Sequence, residues 1–189
     1  MNKGGAERVA SLLSMNLKGK IYISIFDNDN EKLYPYKGKL LCLKLPRRLS
    51  YWGKFLRFCL ANQKIKQLKK RLKIETVISF SEYPNIINIL TKRNEKLIIN
   101  VRTFLSSVFK QKRFKDFILP TILKLLYNRV DIIVVPTKGI AWDLINNFGI
   151  KQKKIKVIYN PFDLATIYKL AKENLESNWG GIFNSPVIT

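Results

Sequence analysis

Histidine is absent from the 189 residues. That omission removes the usual general base, proton shuttle and commonest metal ligand, and with them triads of the Ser-His-Asp or Cys-His kind. Cysteine occurs twice, at Cys42 and Cys59, too seldom for a disulfide framework or a metal site. Both lie among apolar neighbours and are expected to be core thiols in a reducing, cytoplasmic compartment. No stretch reaches the ~18 apolar residues that span a bilayer. The opening Met1-Asn2-Lys3-Gly4-Gly5 lacks the apolar segment of a signal peptide. Acidic residues are scarce: 13 Asp+Glu stand against 35 Lys+Arg, for a formal net charge of +22. Such an excess opposes compaction and attracts polyanions, so nucleic acid, an anionic membrane and phosphorylated substrates are the partner classes to weigh. With 47% hydrophobic and 25% charged residues, the chain reads as one folded, soluble domain rather than a disordered tail.

Short β-branched runs alternate with longer helical patterns. Strands are expected at Ile21–Phe26, Leu40–Leu43, Thr76–Phe80, Leu97–Val101, Asp131–Val135 and Ile155–Tyr159. The run Ile132-Ile133-Val134-Val135 is apolar at every position, which suits a sheet covered on both faces. Helices are expected at about Ala6–Lys18, Tyr51–Leu72, Asn85–Arg93, Lys115–Arg129, Lys138–Asn147 and Ala165–Glu176. This alternation predicts βαβ units in a Rossmann-like, mostly parallel sheet flanked by helices. Thr137 and Asp163 are placed to cap helices, and Gly149 to end one. Pro120 fits either the first turn of a shorter helix or a kink. Within 51–72 the apolar face changes sides, which predicts a break or bend near Asn62-Gln63 or two different packing partners. The stretch from Glu173 to Asn184 reads as a loop or linker.

Several blocks together resemble the N-terminal, acceptor-side domain of GT-B-fold glycosyltransferases of the family-four (group 1) type. They are Gly4-Gly5-Ala6-Glu7-Arg8-Val9, Val77-Ile78-Ser79-Phe80-Ser81-Glu82 and Ile98-Ile99-Asn100-Val101-Arg102. The later ones run from Tyr127 through Pro136-Thr137-Lys138-Gly139, then Phe148-Gly149-Ile150, and last Lys156-Val157-Ile158-Tyr159-Asn160-Pro161-Phe162-Asp163. Residues 1–163 correspond to that domain without the opening strand the family usually has. Residues 164–189 correspond to an interdomain helix, a linker and the start of the absent nucleotide-sugar domain. Many members carry a histidine where this chain has Arg102, a pattern similar to a capsule- and polysaccharide-type subgroup.

The resemblance implies a parent enzyme that moves a sugar from a nucleoside-diphosphate donor to a glycan or lipid-linked acceptor in cell-surface polysaccharide synthesis. It implies no cofactor or metal in this chain, and no turnover by it alone. A separate chain could carry the second domain. Gly4 and Gly5 open a helix, where N–H groups and the helix dipole suit a diphosphate; a plain terminal turn is the competing reading. Asn160, where the chain crosses to the second domain, joins them as a donor-side candidate. Ser81, Glu82, Asn85, Arg102, Thr137 and Lys138 follow strands, at the carboxyl end where α/β sheets bind ligands, and are acceptor-side candidates. A helix cap at Thr137 and surface turns elsewhere are the alternatives. Arg47, Arg48, Trp52, Lys54, Phe55 and Arg57 mix cations with aromatics, as membrane-surface contacts do. That would place the enzyme on the inner face of the cell membrane. A non-catalytic basic module for membrane or nucleic acid, or the product of a disrupted gene, stays open as a further reading.

Overall fold

The computed structural model describes residues 4–26, 34–46, 50–109 and 118–173. Strands β1 (Tyr22–Ile25) and β2 (Lys39–Cys42) form one parallel pair. Strands β3 (Thr76–Phe80), β4 (Lys96–Asn100), β5 (Ile132–Val135) and β6 (Ile155–Val157) form a second parallel sheet in that spatial order. Helices α1 (Gly5–Asn16), α2 (Tyr51–Arg71), α3 (Glu82–Leu90), α4 (Leu105–Phe109), α5 (Ile118–Tyr127), α6 (Lys138–Phe148) and α7 (Leu164–Ala171) fall between or after the strands. All six expected strands are present within one or two residues of their expected ends. The sheet is nevertheless divided: among the described residues no strand pairs with the outer edge of β1 or of β3. Helices hold the two parts together.

The larger core lies on the four-stranded sheet. Leu97 and Ile99 of β4 and Ile133 and Val135 of β5 are fully buried, against Leu123 and Tyr127 of α5 and Leu144 and Phe148 of α6. Burying an aliphatic or aromatic side chain contributes roughly 1.5–3 kcal/mol, so this layer dominates the stability of the domain. The smaller core joins Leu43 and Leu45, beyond β2, to Ala61 and Ile65 of α2 and Ile87 of α3. Three polar side chains tie β3, α3 and β4 from within. Ser79 Oγ donates to Asn85 Oδ1 (2.7 Å), Asn85 Nδ2 donates to the Asn100 carbonyl (2.9 Å), and Asn100 Nδ2 donates to the Ser79 carbonyl (3.2 Å).

The expected caps are in place. Thr137 Oγ1 accepts from Ile140 N (3.2 Å), and Gly149 ends α6 at φ 59°, where a left-handed residue is needed. Asp163 Oδ1 accepts from Thr166 N (3.1 Å) at the start of α7. Pro120 lies in the first turn of α5, which settles its two readings in favour of the shorter helix.

Three expectations are corrected. Residues 51–71 form one uninterrupted helix, without a break at Asn62-Gln63. Its C-terminal half buries Ala61, Ile65 and Lys69, while Tyr51, Trp52, Phe55 and Leu56 of its N-terminal half stand exposed. The change of face marks a change from packed to unpacked, and no kink is required. Helix α4 is absent from the sequence expectation. Its five residues are too few for a periodic signal, and its Ser106 N–H is met by Asp143 Oδ2, 37 positions later (3.2 Å). Cys59 is exposed on α2, not in the core, and Cys42 is half-buried. Among the described residues no helix is long and apolar enough to cross a membrane.

Candidate functional site

Because β3 to β6 run parallel, their carboxyl ends share one edge. Ser81 and Glu82 follow β3, Arg102 follows β4, Thr137 and Lys138 follow β5, and Asn160 follows β6. Open α/β sheets bind ligands on this crest. Two distant members of the row meet directly: Arg102 Nη2 donates to Asn160 Oδ1 at 3.0 Å. Gly5 lies beside them, since a Cβ added to it would stand 4.0 Å from Arg102 Nη2. Gly4 is extended (φ −96°, ψ 171°) and supplies no side-chain cap, so the first N–H groups of α1 are left for solvent or a ligand. Gly4, Gly5, Arg102 and Asn160, from three separated parts of the chain, form one corner. It presents backbone N–H groups, a guanidinium and a carboxamide. Arg102, expected as an acceptor-side candidate, touches Asn160 and lies beside Gly5, two of the donor-side candidates.

The β3 end is a second, differently built corner. Ser81 adopts φ 72°, a left-handed conformation that costs a non-glycine residue energy and is held by its surroundings. The next residue, Glu82, is half-buried and accepts a hydrogen bond at Oε2 from the Tyr127 hydroxyl. Burial pushes the Glu82 carboxyl above its ordinary range, and the Tyr127 bond pulls it partly back. Burial and the neighbouring carboxylate push the Tyr127 phenol upward, so Tyr127 keeps its proton and donates it. Asn85 is fully buried behind this corner; its side chain is engaged with Ser79 and Asn100 and also bonds the Tyr127 side chain. Thr137 is exposed and occupied as the cap of α6, and Lys138 is exposed beside it.

Tyr127 was missed by sequence reasoning. It lies in an apolar helical run, 45 positions from Glu82, and in the sequence marks only the start of a family block. The aromatic group around Tyr83 was missed as well. Tyr83 meets Phe26, beyond β1, edge-on at 5.3 Å between ring centroids, and Phe58 of α2 at 6.2 Å.

The profile of Glycosyltransferase Family 4 matches residues 3–166, from the glycine pair through Asn160 into α7. The chain belongs to Glycosyltransferase Family 4. One relative in the curated proteins is a Campylobacter jejuni N-acetylgalactosamine-N,N'-diacetylbacillosaminyl-diphospho-undecaprenol 4-alpha-N-acetylgalactosaminyltransferase. It is 29% identical over 181 residues, which cover 93% of this chain and 49% of the relative. The chain therefore spans about half the length of that family member. Among solved structures, the UDP-GlcNAc 2-epimerase of Methanocaldococcus jannaschii superimposes with a TM-score of 0.53 at 19% identity. The match covers 98% of this chain and 49% of the other. That likeness is one of fold: half of a two-domain, GT-B-type arrangement.

The membrane-contact candidates divide. Trp52 and Phe55 are 82% and 62% exposed, and Lys54 Nζ stands 5.7 Å from the Tyr51 ring centroid. Arg57 is instead turned back, with Nη1 donating to the Pro46 carbonyl at 3.1 Å. Arg47 and Arg48 lie outside the described residues. The basic run in the second half of α2 is not one solvated face either. Lys64 Nζ donates to the Leu43 carbonyl (2.6 Å), and Lys69 is buried against Glu95 (2.8 Å).

Proposed function

We propose that this chain is the acceptor-side half of an enzyme that transfers a sugar from a nucleoside-diphosphate donor to a lipid-linked glycan in cell-surface polysaccharide synthesis. The reading is supported above all by the corner where Arg102 bonds Asn160 beside Gly5. A departing nucleoside diphosphate carries its charge on phosphate oxygens, and a planar guanidinium binds such a group at two points. The uncapped start of α1 adds N–H groups and the positive end of the helix dipole. Catalysis then consists of holding donor and acceptor together and neutralising the leaving diphosphate as the glycosidic bond breaks. Glu82, held at Oε2 by Tyr127, Ser81 beside it, and Lys138 complete the crest as acceptor contacts. The donor itself is a substrate, and the second half of the enzyme holds its nucleotide.

The family relationship and the relative named for a diphospho-undecaprenol acceptor support a lipid-linked substrate. The exposed Tyr51, Trp52, Phe55 and Leu56, with Lys54 among them, support docking on the anionic, cytoplasmic face of the membrane. Each cation near such a surface contributes ~1 kcal/mol.

Isothermal titration of the chain with inorganic pyrophosphate, in physiological salt, tests the corner. Arg102→Ala is expected to weaken binding about tenfold or more, as loss of a charge-assisted contact does, while Lys70→Ala leaves it unchanged. Equal loss in both variants, or in neither, refutes the assignment. Flotation with phosphatidylglycerol vesicles checks the docking face: wild type should float, and the Trp52→Ser/Phe55→Ser variant should remain in the pellet fraction.

A further inference from the structure

We infer that Tyr83 is the stacking platform for a pyranose ring of the acceptor glycan, an assignment that rests on the transferase reading above and adds a specificity residue to it. Tyr83 stands at the crest, two residues beyond the strained Ser81, and is 38% exposed. Its ring is fixed by two edge contacts, to Phe26 at 63° and to Phe58 at 61° between planes. Phe26 and Phe58 are themselves half-buried, packed against the smaller core. The result is an aromatic ring held by two neighbouring rings and still 38% exposed. Sugars bind such rings because the ring face carries negative quadrupole charge and a pyranose presents a face of polarised C–H bonds. A ring already held in place loses little freedom when the sugar arrives.

Its position also orders the substrate. Phe58, Phe55 and Trp52 are spaced by three residues along α2 and so lie on one side of that helix. They make an aromatic track from the exposed end of α2 to Tyr83 at the crest. A lipid tail seated at Trp52 and Phe55 places the glycan beside Tyr83. The opposite end of the crest, at Arg102 and Asn160, carries the cation suited to a diphosphate. An uncharged glycan gains nothing from that end, while a fixed aromatic face gives it an apolar contact that a diphosphate would not use. Glu82, the neighbour of Tyr83, is pinned separately by Tyr127.

The test is ligand-observed saturation-transfer NMR on the 189-residue chain, with the methyl pyranosides of glucose, N-acetylglucosamine and N-acetylgalactosamine. At least one is expected to receive saturation at its C–H face. Tyr83→Phe should keep this signal, and Tyr83→Leu should weaken affinity about fivefold, the share of an aromatic contact. Circular-dichroism melting confirms that each variant is folded. If none of the three binds wild type, or if Tyr83→Leu binds as wild type does, the platform is refuted. The pyrophosphate titration separates the two readings. Arg102-dependent pyrophosphate binding with Tyr83-independent pyranoside binding overturns the platform and leaves the transferase site standing. Pyrophosphate binding indifferent to Arg102 overturns both.

Discussion

Replacing Lys69 by methionine should destabilise the domain more than any exposed basic substitution in a chain that has so many. Lys69 is 6% exposed and Glu95 5%. Lys69 Nζ lies 2.8 Å from Glu95 Oε1, and it also donates to the Asn88 carbonyl (3.2 Å) and to Thr91 Oγ1 (3.0 Å). Glu95 Oε2 accepts from Arg93 N at 3.0 Å. The pair joins α2 to the α3–β4 turn. Methionine preserves the bulk of the lysine stem and removes its charge, which leaves a buried carboxylate with only backbone donors. Breaking a buried pair by removing one partner costs about 3–5 kcal/mol. Spread over a urea dependence of roughly 1–3 kcal/mol per molar, that lowers the unfolding midpoint by roughly 1–5 M. Lys69→Met/Glu95→Gln removes both charges and should regain most of the loss. Equilibrium urea unfolding followed by circular dichroism measures all three proteins.

The same pair fixes a pH signature. Burial pushes the Glu95 carboxyl up, but the Lys69 hydrogen bond and charge, together with backbone N–H bonds from Glu95 and Arg93, outweigh it and hold it below the ordinary 4.5. A depressed acid stabilises the fold above 4.5, and that contribution disappears as the pH falls through the lowered folded value. Without Lys69, burial is opposed only by the backbone N–H bonds of Glu95 and Arg93, and the folded value moves up. The destabilisation caused by Lys69→Met should therefore shrink as the pH is lowered toward 4.5, because the orphaned carboxyl takes up a proton. A midpoint unchanged in Lys69→Met, or a defect independent of pH between neutrality and 4.5, refutes the claim that this buried pair is coupled.

Three smaller changes have equally definite outcomes. Gly38→Ala places a Cβ 2.5 Å from the Ile21 carbonyl oxygen at a φ of +113°, and should cost more than about 1 kcal/mol in chemical unfolding while leaving pyrophosphate binding intact. Thr137→Ala removes the side-chain cap of α6 and should cost about 1 kcal/mol by the same assay; a larger effect on pyrophosphate affinity than on stability would instead make Thr137 a ligand contact. Tyr127→Phe deletes the hydroxyl that lowers the Glu82 carboxyl, so the Glu82 protonation midpoint, read by carboxyl NMR shifts, should rise further. A raised acid favours the folded state at low pH, so the extra loss in Tyr127→Phe should be greatest above the Glu82 midpoint.

Much of the architecture could be read from residue order. Apolar, β-branched runs such as Ile132–Val135 can bury both faces only inside a covered sheet, and they alternate with helical patterns that require parallel crossovers. Thr137, Gly149 and Asp163 mark helix ends because caps are local chemistry, satisfied within a few residues. The family blocks follow the same order along the chain, which places Gly4, Gly5, Arg102, Lys138 and Asn160 at the ends of elements where ligands bind. Which of these touch was not legible. Arg102 and Asn160 are separated by 58 positions, and only the packing of β4 beside β5 and β5 beside β6 brings them together.

Tertiary structure alone decided three further matters. It turned a change of apolar face in α2 into an exposed first turn and a packed remainder on one continuous helix, because the smaller core lies beside Phe58, Ala61 and Ile65 and not beside Tyr51, Trp52 and Phe55. It sorted the lysines: composition counts every cation alike, yet Lys69 is neutralised inside the fold while Lys70 next to it is exposed. It also moved Asn85 from the crest to the interior and made the buried Tyr127 the partner of Glu82. Periodicity and caps are short-range effects, written into neighbouring residues. Contacts between side chains tens of positions apart depend on strand order and register, which no local pattern carries.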